Sequence, residues 1–393
     1  MIANKLNVVN NSRIKLTLIL ILISMLILLF VRTNNKPILI GFSAQLTGRQ
    51  AELGVQERNG VQLAVEKING SGGISGRKVE LVIRDDFGVP EKAKFADDEL
   101  IKVGVIAIIG HATSSQTLEG LKVTNPAKVV MIGSTVSTPE LSSLDDYFFR
   151  VYPSFKDSAQ AFARYIYNHN SIKRISVIYD MDNYAYSKNY SKDFEDKFKS
   201  LGGSVGDEVS FSSVTQPDFS TLLIRLREGK AEGLLIVASD IDTAFIAQRS
   251  RIIGWQVPLF TSSWAPTENL INNGGEAVEG MKFEQAYGWL IKQPKEFNNF
   301  QAGYQARFGN KPSFGSALAY DATMVLADAL RKTGGKSEGL KQELLKIRDF
   351  PGVLGPFSFD KFGDVKRPCY IGDIHNHDFI NLDKLILNDS RGE

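Results

Sequence analysis

Cysteine is almost absent from this chain: Cys369 stands alone among 393 residues. That excludes a disulfide framework and any zinc site built on paired cysteines. Histidine is scarce as well. The four residues are scattered, with no HExxH pair and no clustered ligand set, so no metal is expected. Charge shows no strong excess of either sign. The net charge is +2 and there is no long basic run, which removes the electrostatic footprint of a nucleic-acid partner. A GxSxG elbow, a P-loop and a GxGxxG following a strand are all missing. The glycine-rich stretch at 70–76 is followed by a strand rather than a helix, so it reads as a tight turn and not as a phosphate cradle. Asp85 and Asp86 read as a strand end and turn rather than paired catalytic carboxylates. With no nucleophile–base set, an enzyme is not expected, and neither is a cofactor.

Long apolar runs are also missing, with one exception at the start. Lys5, Arg13 and Lys15 precede an apolar stretch at 16–31, and Arg32 and Lys36 follow it. A basic flank before a short apolar core is an export signal. As a helix the stretch would be about 24 Å long at roughly 1.5 Å per residue, slightly short of a typical span. No small-residue cleavage site follows it, and no cysteine is placed for lipidation. Residues 1–36 therefore read as an uncleaved signal anchor, in or near the membrane, ahead of the alternative of a cleaved signal peptide. Either places the rest of the chain outside the cytoplasm.

What is present beyond residue 37 is an alternation of short apolar strands and amphipathic helices. Strands are expected at 38–43, 79–85, 105–109 and 129–132, with helices at 54–69, 91–103 and 114–127 between them. The alternation then restarts. Helices at 158–168, 186–200, 219–228 and 243–253 separate strands at 175–179, 205–211, 234–237 and 259–261. Continuous apolar strands between helices mean parallel sheets covered on both faces. Two such series mean an α/β chain of two doubly wound, parallel-sheet lobes. Late helices at 295–308 and 316–331 find their simplest home back on the first lobe, so the chain crosses between lobes more than once. Ligands of such sheets bind at the carboxyl ends of the strands. Two lobes facing each other put two such edges across one cleft.

The residues themselves carry a resemblance. The opening Ile38-Leu-Ile-Gly-Phe-Ser-Ala-Gln-Leu-Thr-Gly48 is followed by Asn59-Gly60, Gly72-Gly73-Ile74, Asp85-Asp86, Ile109-Gly110-His111 and Ser114-Ser115. Further on come Ser137-Thr-Pro-Glu-Leu141, Ala277-Val-Glu-Gly280 and Ala319-Tyr320-Asp321-Ala322. In order and spacing these resemble the type I periplasmic solute-binding proteins of the leucine/isoleucine/valine class, over nearly all of 38–380. The resemblance implies a three-segment hinge and delivery of a small-molecule ligand to an ABC permease. The expected parts are the first lobe at 37–154 with a return at 287–365, and the second lobe at 155–286 with a final strand and tail at 366–393. Crossings are expected near 152–155, 286–288 and 364–367. The implied function is capture of a small polar ligand, an amino acid first. The alternatives are an amide or an aromatic or aliphatic carboxylic acid, or a tethered ligand-sensing receptor.

Candidate ligand residues follow strand ends. Ser114 and Ser115 open a helix, whose free N–H groups and dipole favour an anion. The resemblance makes Ser114 a carboxylate ligand and adds a second clamp with Thr135 and Ser137. It also places Tyr184 on the ligand from the facing lobe. Leu53 lies at the cleft mouth. Where leucine-type members place a carboxylate for the ligand ammonium, this chain reads Ser262-Ser263-Trp264-Ala265. Asp240, at the end of the preceding strand, is the expected replacement, with helix capping as its ordinary alternative role. Trp264 either walls the pocket or fills core.

Overall fold

In the computed structural model the described residues are 17–19, 21, 36–169, 171–215, 217–287, 295–385 and 387. The predicted apolar helix at 16–31 lies outside them except at 17–19 and 21, as do Gly288 of the second expected crossing and the tail at 388–393. Among the described residues no helix is long and apolar enough to cross a membrane.

Two sheets organise the chain. The first has five parallel strands in the order β2-β1-β3-β4-β5. These are β1 (Ile38–Ala44), β2 (Val79–Asp85), β3 (Ala107–Gly110), β4 (Val130–Gly133) and β5 (Phe148–Arg150). Between them run α1 (Glu52–Gly70), α2 (Pro90–Val103) and α3 (Ser114–Thr124). Helix α2 starts with Pro90 in its first turn and ends on Gly104 at φ 90°, the left-handed stop that glycine adopts without penalty. β3 and β4 are buried on every residue, as strands covered on both faces should be.

The second sheet has seven strands in the order β12-β11-β10-β9-β8-β6-β7. β6 (Arg174–Asp180), β7 (Ser204–Phe211), β8 (Gly233–Val237), β9 (Leu259–Thr261) and β10 (Lys282–Gln285) are parallel. β11 (Cys369–His375) and β12 (Asp378–Leu385) are antiparallel, so this sheet is mixed rather than purely parallel, and the last segment carries two strands instead of one. The cause is a two-residue turn. Asn376 and His377 both have positive φ, 51° and 59°, the pattern that matches strand twist in a tight hairpin. Their N–H groups donate to Glu279 at 3.1 and 2.7 Å. The intervening helices are α4 (Lys156–His169), α5 (Tyr184–Ser200), α6 (Phe219–Glu228), α7 (Asp240–Ile252) and α8 (Glu268–Gly274).

Three later helices pack on the first lobe: α10 (Phe314–Lys332) lies against β3 and β4, α9 (Lys295–Phe308) on α1 and α11 (Leu340–Leu345) on α10. Phe314, Leu318, Ala322 and Leu326 share one core with Ile40, Phe42 and Val61. The α1–α10 contact is close enough to require Gly60, since a Cβ there would sit 2.1 Å from the Ser316 carbonyl oxygen. The chain thus passes between the sheets after β5, after β10 and before β11. The three passages are bonded to each other: Ala286 N donates to Tyr152 Oη at 3.3 Å, and Arg367 Nε donates to the Val151 carbonyl at 2.9 Å. Short adjacent passages of this kind are where two lobes can bend relative to each other.

Candidate functional site: a cavity between the lobes

The strand ends of the two sheets face each other across a cavity whose empty space, counting what is open to solvent, is about 320 Å³. The first lobe contributes Ala112, Thr113 and Ser114 from the β3–α3 turn and Thr135 and Ser137 from the loop after β4. Leu53 of α1 and Phe314 at the start of α10 close that side. The second lobe contributes Asn183 and Tyr186 after β6 and Ser263 and Trp264 after β9, while Tyr152 comes from the first passage.

One end of the cavity is built for an anion. Ser114 is the first residue of α3, and Thr113 before it is extended and caps no amide with its side chain. Thr113 Oγ1 instead donates to Gln116 Oε1. The hydroxyls of Ser114 and Ser137 make no hydrogen bond within the described residues, although both residues are buried. Unused hydroxyls beside a helix start suit a carboxylate without leaving a charge behind when the cavity is empty. The other end is aromatic. Tyr186 meets Trp264 edge-on at 5.8 Å and Phe155 at 5.2 Å, and its hydroxyl lies 3.3 Å from Ser263 Oγ. Among the described residues no acidic side chain lines the cavity.

Of the residues expected from the sequence, Ser114, Thr135, Ser137, Trp264 and Leu53 converge here. Ser115 does not line the cavity but joins the lobes: its N–H donates to Asn183 Oδ1 at 3.2 Å and its hydroxyl accepts from Ala185 N at 3.1 Å. Tyr184 does not line it either. As the first residue of α5 it points outward, 47% exposed. Tyr186, two positions on, turns inward instead, on the face continued by Tyr190 and Phe194. That four-residue aromatic spacing was the available signal. Asp240 is drawn away from the cavity. Its Oδ2 accepts from Thr267 Oγ1 at 2.6 Å and its Oδ1 from Ile241 N at 2.8 Å, and burial pushes its pKa up to about 6. The helix is capped one residue earlier, by Ser239.

Two buried carboxyls stand one layer behind the wall. Glu284 of β10 accepts from Ser263 N at 3.2 Å, and burial raises its pKa. Glu57 of α1 lies against Thr135 at 2.7 Å, and burial pushes it up to about 8. Outside the cavity the lobes are also latched. Gln50 Nε2 reaches Asp180 at 2.7 Å and Asp242 at 3.0 Å, and Arg49 pairs with Asp242 at 2.6 Å. Among the described residues no cluster could hold a metal ion.

Two lobes, three adjoining passages and a polar-to-aromatic cavity at the strand ends define a cleft-type solute binder. Comparison with known proteins agrees. A sequence profile of the periplasmic binding proteins matches residues 37–378, and the chain belongs to that family, whose members work outside the cytoplasm. The Leu/Ile/Val-binding protein of Escherichia coli K12 is 25% identical over 347 residues, covering 84% of this chain and 89% of that protein. The crystal structure of a leucine-binding protein from Thermotoga maritima superposes with a TM-score of 0.81 at 28% identity, over 88% of this chain and 98% of the other. A solute-binding protein from Rhodopseudomonas palustris, solved with 3,4-dihydroxybenzoic acid, shares the fold with a TM-score of 0.80 at 22% identity, over 90% and 99%.

Proposed function

We propose that the protein captures a small carboxylate of amino-acid size in the interlobe cavity and presents it to an ABC-type permease. The observation that carries this is the pairing of two unused hydroxyls, Ser114 and Ser137, with the start of α3, where Thr113 caps no amide, on one cavity. The likeness to binding proteins for branched-chain amino acids supports an amino acid as the first candidate. A second reading, an aromatic or aliphatic acid without an ammonium, is favoured by the absence of an acid among the described lining residues and by the Tyr186–Trp264 wall. A buried ammonium without a counter-charge is costly.

A thermal-shift screen against amino acids, amides and carboxylic acids tests this. A ligand present at about 100 times its Kd adds about 2.7 kcal/mol of stability. No shift with any carboxylate would remove the reading. The stretch at 16–31, with its basic flank and no cleavage site after it, supports tethering to the membrane in place of release. N-terminal sequencing of the mature protein that began near Asn34 would refute that.

A further inference from the structure

We propose that Glu57 is a positioning residue of the cavity. As a carboxylic acid it donates to Thr135 Oγ1, turns the Thr135 proton onto the Ala112 carbonyl, and leaves Thr135 as a pure acceptor for a donor group that the ligand carries beside its carboxylate. This rests on the reading of the cavity as the ligand site and deepens it.

The argument is a proton count. Thr135 Oγ1 lies 2.7 Å from Glu57 Oε1 and 2.7 Å from the Ala112 carbonyl oxygen. A hydroxyl has one proton to give, and a carbonyl oxygen has none. If Thr135 donated to Glu57, two bare acceptors, Thr135 Oγ1 and Ala112 O, would face each other at hydrogen-bond distance. Both contacts are satisfied only when Thr135 donates to Ala112 and the Glu57 carboxyl supplies the second proton. The surroundings agree. Glu57 is fully buried, and its Oε2 has no hydrogen-bond partner within the described residues, an arrangement far less costly for a neutral acid than for a carboxylate. The charged groups that act on it are His111 and Asp86, of opposite sign, and from α10 Gly315 lies beside its side chain. Burial carries its pKa to about 8.

Thr135 Oγ1 then has one lone pair left, on a residue that lines the cavity. A ligand carboxylate oxygen placed there would meet a lone pair; an ammonium or hydroxyl would be bonded. Ser114 and Ser137 keep their protons free to donate. Ser137 follows two residues on in the same loop and lines the same cavity, so a donor carried close to the ligand's carboxylate can reach Thr135. The geometry therefore selects α-amino or α-hydroxy acids over simple acids of the same shape.

The test uses L-leucine, 2-hydroxy-4-methylpentanoate and 4-methylpentanoate, titrated calorimetrically into the full chain in detergent from about pH 6 to about pH 9. The first two should bind, and 4-methylpentanoate should bind at least about tenfold more weakly. Wild-type affinity for the hydroxy acid should fall as pH rises through about 8, where Glu57 loses its proton. Glu57→Gln, whose amide donates at any pH, should retain binding and lose the pH dependence; Glu57→Ala should bind more weakly. Equal binding of 4-methylpentanoate, a flat wild-type profile, or a glutamine variant no better than alanine would overturn the proposal. If none of the three probes binds, the carboxylate reading of the cavity falls instead. Infrared spectroscopy then judges Glu57 alone. A carboxylic-acid carbonyl band present at neutral pH and lost in Glu57→Gln supports the acid form; its absence overturns it.

Discussion

Replacing His111 with glutamine should destabilise the first lobe severely, and the size of the loss follows from what the imidazole touches. His111 is fully buried at the end of β3, one residue before the cavity wall. Its Nδ1 lies 2.7 Å from Asp86 Oδ2 and its Nε2 3.0 Å from Asp97 Oδ2. Burial alone pulls its pKa down, but Asp97 and Asp86 outweigh that and carry it to about 10. As an imidazolium it bridges two buried carboxylates. Glutamine can donate to one aspartate but brings no charge, so a buried anionic pair is left uncompensated. Losing one partner of a buried ion pair costs about 3–5 kcal/mol. The sign of the pH dependence is fixed by the direction of the shift. A histidine whose folded pKa is raised from 6.5 to about 10 gives its full stabilisation below pH 6.5 and loses it as pH rises through about 10. The slope is at most about 1.4 kcal/mol per pH unit. Glu57 titrates near 8, so the interval above it belongs chiefly to His111. Urea denaturation of wild type and His111→Gln at several pH values is the assay. The gap between them should be widest below about pH 6.5 and narrow as pH rises toward 10. A cost below about 1 kcal/mol at neutral pH, or parallel pH slopes, would refute the bridged-imidazolium account.

Other consequences are simpler to check. Tyr186→Ala should weaken binding of a cavity ligand by more than about tenfold, whereas Tyr184→Ala, on an exposed ring, should leave it within about twofold; the reverse order in calorimetry would mean that α5 is rotated. Asp240→Asn should leave affinity unchanged and cost about 1 kcal/mol of stability through its bonds to Thr267 and Ile241; a large loss of affinity would return Asp240 to the ligand. Gln50→Ala removes the side chain that meets Asp180 and Asp242 across the lobes, so the ligand-free protein should open, seen as a larger radius of gyration in X-ray scattering. An unchanged radius would show that the latch does not hold the lobes together.

The fold was readable where burial writes itself into consecutive residues. β3 and β8 are continuous apolar runs because both of their faces are covered, and the helices between them keep a 3.6-residue rhythm. The β11–β12 hairpin was not readable for a local reason. Its turn is Asn376-His377 rather than Asn-Gly, so the usual marker of two positive-φ residues is missing, and Glu279, about a hundred residues earlier, holds the turn's N–H groups. Nothing in the local sequence announces that partner.

The cavity divides in the same way. Ser114, Thr135 and Ser137 follow strand ends directly, so a parallel sheet delivers them to the cleft whatever the rest of the chain does. Tyr184 and Tyr186 are told apart only by rotation about α5, where two residues turn the side chain by about 200°. Glu57 sits mid-helix in α1 and is buried by α10, more than two hundred and fifty residues later. The acids are the hardest case. Asp180, Asp240 and Asp242 all stand at strand ends of the second lobe, where a counter-charge for an ammonium would be sought. Each is taken by another group: Asp180 by Gln50, Asp240 by Thr267, and Asp242 by Arg49 and Gln50. Their position could be read from the sequence; their occupation could not, because it is set by side chains from other elements. The cavity is therefore left with hydroxyls, an amide and aromatic rings. Under those conditions a donor group on the ligand is recognised through the direction in which Thr135 points its proton rather than through a lining carboxylate.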